Sequence, residues 1–416
     1  MARLIIKNVG PIKYVDINLN KINVYIGPQS SGKSTIAKIV SFCSWLEKKR
    51  DVAEKTLVTV GLQKELERYH RMRGYFNEES SILYVGENVV FGLNQDDDIL
   101  ELPERFKDLS VTCCNDNEFL LNVVEKEVNP KVIYIPAERN FVSVLPDARK
   151  YSEEKDGLLN FITDWLEAKR HYPTDKKMDM LNLGVTYHYN EEKDRDVLTL
   201  SESQKALSLN QTSSGMQSLV PLMVLLDWFS NGIYEHNKPY SPEEIIKIKD
   251  ILVNLSKDKE GQEQQQLVDR LRDFVEGKGY THTQFIIEEP EQNLFPKTQV
   301  QFLYVLLSVI NHGHPHRLVL TTHSPYILYA LNNCLLAYLV QGNMDDKEKA
   351  QRETMKYAVD PQLVSVWQIE NGYLRNEEGV ENLTIQDENG LIRKNYFNNI
   401  MKDVMGEFNE LLNYYD

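Results

Sequence analysis

The chain has 416 residues, 42% hydrophobic and 26% charged, with a formal net charge of -15 at pH 7. That length holds two or three units with buried cores, and the composition is that of an ordinary globular protein. The acidic excess excludes a general basic coat for nucleic acid, which needs clustered Lys and Arg, and leaves room only for a local basic groove. The four cysteines, Cys43, Cys113, Cys114 and Cys334, form no CxxC array, so they read as reduced thiols rather than zinc ligands or a disulfide framework. The first residues lack the apolar core of a signal peptide, and no apolar run approaches the roughly 20 residues that span a bilayer. The expectation is a soluble, cytoplasmic chain with no membrane partner.

In chain order, Leu4 to Lys7, Tyr14 to Leu19 and Ile22 to Ile26 are short apolar runs broken by Gly10-Pro11 and Asn20, which predict three strands. The third enters a glycine loop. Beyond it Ile36, Ile39, Val40 and Cys43 recur at helical spacing, the buried stripe of an amphipathic helix. Residues 47 to 75 read as a charged helical stretch, and 81 to 124 as strands with acidic loops. Val132 to Ile135 is a compact strand stopped by Pro136. Residues 150 to 182 read as helical, followed by a hairpin from Gly184 to Tyr189 and Val197 to Leu200. Apolar spacing over 245 to 275 predicts a helical hairpin, inserted ahead of strands at Phe285 to Ile287 and Leu318 to Leu320. His312-x-His314-x-His316 reads as a solvated turn rather than a metal site, and Lys48-Lys49-Arg50 as a solvated helix face. The C-terminal aromatics Tyr396, Phe397, Phe408, Tyr414 and Tyr415 are expected to pack or to meet a partner.

Four segments carry chemistry. Gly27-Pro28-Gln29-Ser30-Ser31-Gly32-Lys33-Ser34, followed by Thr35, matches G-x-x-x-x-G-K-[ST] in full. Its glycines let backbone N–H groups converge on phosphate oxygens, and the next helix aims its positive end at the same place. Lys33 is expected on the β- and γ-phosphates of ATP and Ser34 on Mg²⁺. Phe285-Ile286-Ile287-Glu288-Glu289-Pro290 is an apolar strand ending in two carboxylates, which a strand's alternation can direct to different tasks. Glu288 is expected to hold the Mg²⁺ shell and Glu289 to act as general base on the attacking water. Leu318 to Leu320 leads to Thr321-Thr322-His323-Ser324-Pro325, where His323 could donate a hydrogen bond to a γ-phosphate. Gln211-Thr212-Ser213-Ser214-Gly215-Met216-Gln217-Ser218 opens a long apolar helix with small hydroxyls and a glycine, suited to an anion.

The order P-loop, Ser-Ser-Gly-Met-Gln, Glu-Glu-Pro-Glu-Gln-Asn-Leu, Thr-Thr-His-Ser-Pro resembles the ABC-type ATPases of the SMC, RecF and OLD group. It is most similar to OLD-type ATPases, including those of bacterial antiphage systems. The resemblance implies an α/β ABC-type head with a mixed sheet, a helical signature lobe and helical insertions. It implies Lys33 and Ser34 on phosphate and metal, Glu288 as the metal-side acid, Glu289 as catalytic base and His323 as switch histidine. Ser214 and Gly215 are implied as a contact made to the nucleotide of an opposing protomer, hence a homo-dimer or higher homo-oligomer. Ile135-Pro136-Ala137-Glu138-Arg139-Asn140 is similar to a segment found after the middle strand of such ATPases. Several features depart from the pattern. Glu288 stands where many relatives carry Asp, Ser-Ser-Gly-Met-Gln replaces Leu-Ser-Gly-Gly-Gln, and no glutamine marks a Q-loop after Ile135.

The expected division is a head over 1–345 and a C-terminal extension over 346–416, packed on the head or binding a partner. Within the head lie a P-loop lobe (1–140), a signature lobe (about 141–240), a helical hairpin (about 241–278) and a Walker B and switch-histidine segment (279–345). The link from Asn140 to Ser213 is too short for SMC arms. Residues 341–416 are too few for the Toprim nuclease domain that OLD relatives carry. The expected function is ATP hydrolysis as a conformational switch in antiphage defence or DNA processing, with the damaging chemistry on a separate effector of nuclease or Toprim type. The rivals are a RecF-like ATPase that clamps DNA itself and the nucleotide-binding subunit of a transporter.

Overall fold

The computed structural model describes residues 2–48, 61–94, 112–115, 117–122, 129–144, 156–235, 280–311, 313–376 and 379–415. The expected hairpin within 241–278, the acidic loop at 96–98 and the Lys49-Arg50 pair lie outside them. The chain opens with β1 (Ala2–Val9), β2 (Ile12–Leu19) and β3 (Ile22–Ile26), then α1 (Lys33–Lys48) and α2 (Leu62–Tyr69). Next come β4 (Ser81–Val85), β5 (Val89–Leu93), β6 (Thr112–Asn115), β7 (Glu118–Asn122) and β8 (Pro130–Ile135). After α3 (Gly157–Ala168), four short strands follow: β9 (Met178–Asp179), β10 (Val185–Asn190), β11 (Arg195–Leu200) and β12 (Ala206–Ser208). The chain then forms α4 (Ser214–Asp227), β13 (His282–Glu288), α5 (Pro296–Asn311), β14 (Arg317–Thr321) and α6 (Pro325–Val340). It closes with β15 (Val364–Glu370), β16 (Tyr373–Leu374) and α7 (Tyr396–Leu412).

Twelve of these strands form one sheet in the order β6-β7-β5-β4-β1-β2-β16-β15-β3-β14-β13-β8, and β9 to β12 form a small antiparallel sheet beside it. The large sheet is mixed, as expected. From β8 through β13, β14 and β3 to β15 the strands are parallel, whereas β1, β2, β4, β5, β6 and β7 form an antiparallel meander. The parallel strands carry apolar runs such as Val24 to Ile26, Phe285 to Ile287 and Leu318 to Leu320, covered on both faces. Tyr25, Ile286 and Val319 point to the face that buries Ile36, Ile39, Val40 and Cys43 of α1. Val24, Ile26, Phe285, Ile287, Leu318 and Leu320 point the other way, onto α3, α4, α5 and α6. This alternation is the period of two that a strand imposes.

Two sequence expectations change, the helix over 150 to 182 and the turn at His316. The helix expected over 150 to 182 covers Gly157–Ala168, with Asp156 capping it by accepting from the Leu159 N–H, and Met178–Asp179 is already strand. Beyond residue 345, where an extension packed on the head or binding a partner was expected, β15 pairs with β3 inside the sheet, Trp367 opposite Tyr25. His316 does not lie on a solvated turn. It is buried, its Nδ1 accepts from the Thr283 N–H at 3.1 Å, and its Nε2 lies 3.0 Å from the Ser230 carbonyl. His314 stacks on Tyr234, and no His, Cys, Asp or Glu cluster suited to a metal occurs among the described residues. Cys43 and Cys334 are buried free thiols. No helix among the described residues is long and apolar enough to cross a membrane.

Candidate nucleotide site at the strand ends

In a parallel sheet every carboxyl end lies on the same edge, where the following loops converge. The loops after β3, β13, β14 and β8 bring Gly27 to Ser34, Glu288 to Pro290, Thr322-His323 and Pro136 to Asn140 to that edge. Gly27 has φ +148° and Gly32 φ +109°, backbone that a side chain would strain. A Cβ on Gly27 would come within 2.4 Å of the Ile369 carbonyl oxygen at the end of β15. One on Gly32 would meet the Ile12 side chain at 2.3 Å. Gly27 is therefore required by space as well as torsion, and Gly32 chiefly by torsion. Gln29 and Ser30 are exposed at the tip, Pro28, Ser31 and Ser34 are half-buried, and Thr35 is buried behind them.

Lys33 is folded back into the loop that precedes it. Its ammonium donates to the carbonyls of Gly27 at 3.0 Å and Pro28 at 2.7 Å. Burial lowers its pKa to about 8, against the opposing pull of Glu289 and Glu291. The ammonium also donates to the Ser31 hydroxyl at 3.5 Å, and a cation held by neutral oxygens at the mouth of a helix is poised to exchange them for phosphate oxygens.

Glu288 and Glu289 are neighbours in sequence with opposite environments. Glu288 closes β13 and is buried, and burial raises its pKa. The hydroxyls of Ser34 and Tyr134 and the Lys38 ammonium face it and oppose part of that shift. Among the described residues its Oε1 has no hydrogen-bond partner, nor has the hydroxyl of Thr321, its register partner on β14. Two buried oxygens without donors, beside a serine hydroxyl, are a hard-oxygen set that fits Mg²⁺. Glu289 has left the strand with φ +43°, a left-handed backbone that costs a non-glycine residue about 1–2 kcal/mol. Its N–H donates to the Thr321 carbonyl at 2.9 Å, which helps hold that conformation. Its half-exposed carboxylate has Oε1 3.5 Å from Nε2 of His323. Hydrogen bonding to that histidine lowers the Glu289 pKa, with Lys33 and Arg139 acting in the same direction.

Two residues that the sequence left without a role complete the edge. The Glu291 carboxylate accepts from the His323 N–H at 2.5 Å and from the Thr322 hydroxyl at 2.8 Å, tying the turn after β13 to the one after β14. Arg139, fully buried, donates to the carbonyls of Glu288, Glu289 and Pro290. The Pro-Glu doublet and the Glu-Arg pair were visible as sequence, but their partners lie far along the chain. Ser214 and Gly215 are placed differently. They open α4 against the turn after β13, where a Cβ on Gly215 would meet the Asn293 carbonyl oxygen at 2.9 Å. Among the described residues no hydrogen bond joins them to the P-loop.

No family model matches the chain, and no curated protein matches it. Among solved structures it is similar to an SMC head domain from Thermotoga maritima, with 10% identity over 79% of this chain and 90% of that one, at a TM-score of 0.33. It is similar too to the ATP-binding cassette MJ0796 in a dimeric post-hydrolysis state with ADP and Pi, with 12% identity over 92% and 99% of the two chains and a TM-score of 0.32. At such identities and scores neither assigns a chemistry to this chain.

Proposed function

We propose that the chain is an ABC-type ATPase that binds Mg²⁺-ATP at the carboxyl ends of β3, β13 and β14 and hydrolyses it to ADP and phosphate. The observation that carries this reading is the pairing of two carboxylates at one strand end. Glu288 is buried, its Oε1 has no hydrogen-bond partner among the described residues, and it faces Ser34 of the P-loop, whereas Glu289 is ionised and half-exposed and faces the P-loop lysine. The residues of 27–35 cradle the phosphates, and Lys33 leaves its carbonyls for the β- and γ-oxygens. Ser34 and Glu288 would hold the metal, which supplies charge neutralisation across the β- and γ-phosphates. Glu289 accepts the proton of the attacking water, and His323 both orients that carboxylate and stands ready to donate to the γ-phosphate.

A complete site in this reading also needs Ser214 and Gly215 from a second copy, because within one chain they open α4 and touch the turn after β13 instead. The working unit is then a two-fold dimer with two composite sites. The motif order resembling OLD-type ATPases supports a switch role in antiphage defence or DNA processing, with a separate nuclease or Toprim-type effector. Mixing Lys33→Ala chains with Ser214→Arg chains tests the composite site. Mixed dimers should hydrolyse ATP at up to about half the wild-type rate per dimer, while each variant alone is inactive. No recovery on mixing, or full activity from a strict monomer, defeats the composite site.

A further inference from the structure

Arg139 has no solvent exposure, and its five hydrogen bonds all run to backbone carbonyls. Nε donates to Ser218 at 3.2 Å, in the second turn of α4. Nη1 donates to Pro136 at 3.4 Å and Glu288 at 3.0 Å, and Nη2 to Glu289 at 2.9 Å and Pro290 at 3.1 Å. One rigid fork therefore joins three separate stretches of chain.

The α4 side of the joint is built for it. Pro221 has no N–H to offer the Gln217 carbonyl, which accepts from the Ser143 hydroxyl at 2.8 Å instead. Ser143 and Arg139 thus take consecutive carbonyls of α4 from the same short segment after β8. A second tie runs in parallel, with Asn293 Nδ2 donating to the Ser218 hydroxyl at 3.0 Å. On the other side of the joint stands the left-handed Glu289, whose carbonyl the fork holds.

We propose that Arg139 is a positioning residue that locks the start of α4 and the Glu288–Pro290 turn into one unit, so that contact with a second protomer's nucleotide at Ser214 and Gly215 is felt at Glu289. The role rests on the ATPase reading above and deepens it. Burial lowers the guanidinium's pKa to about 10, so it stays charged at neutral pH. A lysine would keep that charge but lose the planar five-donor fork. The P-loop makes no hydrogen bond to Arg139, so nucleotide affinity is carried separately from this joint.

The test is steady-state ATP hydrolysis and ATP binding by the purified chain carrying Arg139→Lys. Displacing Glu289 by about an ångström should lower kcat by about 100-fold, with ATP affinity unchanged. If Arg139→Lys fails to fold, Asn293→Gly serves. Asn293 has φ +62°, which glycine adopts without strain, so that variant removes only the side-chain tie. It should lower kcat by a smaller factor, again at constant affinity. In the double variant Arg139→Lys with Ser214→Ala, whose single substitutions should each leave measurable turnover, the loss should be no larger than that of the more damaged single variant. Wild-type kcat in Arg139→Lys or Asn293→Gly, equal losses of kcat and affinity, or losses that multiply in the double variant overturn the positioning role. An inactive wild-type chain that binds no ATP would instead count against the ATPase reading itself.

Discussion

The two halves of the large sheet contain the same kinds of residue and do different work. In the parallel half, β8, β13, β14, β3 and β15 run the same way, so five carboxyl ends share one edge. Every residue assigned to phosphate, metal or water lies just past one of those ends or, for α4, against one. In the antiparallel half, successive strand ends alternate between edges, and charged groups meet as isolated pairs such as Arg3 with Asp16, at 2.9 and 2.7 Å. The difference teaches that topology, rather than composition, gathers a reaction centre. Both halves are buried on the α1 side by one continuous apolar cluster, so the inert half supports the chemical half without entering it.

Substitutions can break that contrast, beginning where it is sharpest. Lys33→Ala removes the only lysine within the phosphate loop. Charge-assisted hydrogen bonds are worth about 1.5–3 kcal/mol, so ATP affinity should fall about 10- to 150-fold, read by calorimetric titration. Wild-type affinity in that variant would place the phosphates elsewhere.

A change of pH should act on the same lysine with smaller steps. The Lys33 pKa in the ligand-free chain is about 8, below its ordinary 10.5. Phosphate needs the ammonium form, which is already present below pH 8. ATP affinity should therefore be flat below about pH 8 and weaken by up to about tenfold per unit above it. The unfolded chain holds more protons at this residue between about pH 8 and 10.5, so the lysine's penalty on folding stability diminishes as pH rises through that window. An affinity that stays level to pH 9.5 would show that the lysine's surroundings do not depress its titration.

The opposite half supplies the control. Arg3→Ala in β1 breaks an exposed ion pair with β2, which should change stability by no more than about 1 kcal/mol. Turnover should not change. A clear loss of kcat would mean that the meander is coupled to the strand ends after all.

What the sequence made legible follows the same division. The strands β3, β13 and β14 stand out by the apolar runs Val24 to Ile26, Phe285 to Ile287 and Leu318 to Leu320, each leading into a motif and buried on both faces. The loops after them are legible because Gly27 and Gly32 meet a need for backbone torsion and, at Gly27, for space that few other residues satisfy. The strand β15 was not legible. Its Val-Ser-Val-Trp-Gln-Ile-Glu alternation suits an edge as well as a centre, and only pairing with β3 decides between them. Nor were Arg139 and Glu291 legible as parts of the site. Their partners are backbone groups, and a sequence does not show which carbonyl or N–H a distant side chain will reach. Of the C-terminal aromatics expected to pack or to meet a partner, Phe397 packs on the core, whereas the face of α7 that carries Met401, Val404, Phe408 and Leu411 is exposed, which leaves those positions to the partner alternative.

Glu289, whose carboxylate is assigned the proton of the attacking water, is the residue on which hydrolysis turns. The decisive measurement is single-turnover phosphate release from wild type and Glu289→Gln, each loaded with Mg²⁺-ATP and matched for bound nucleotide. The predicted result is equal ATP binding with release about 10²- to 10⁴-fold slower in the variant. Equal rates of phosphate release from the two proteins would contradict the assignment, and with it the division of labour between Glu288 and Glu289.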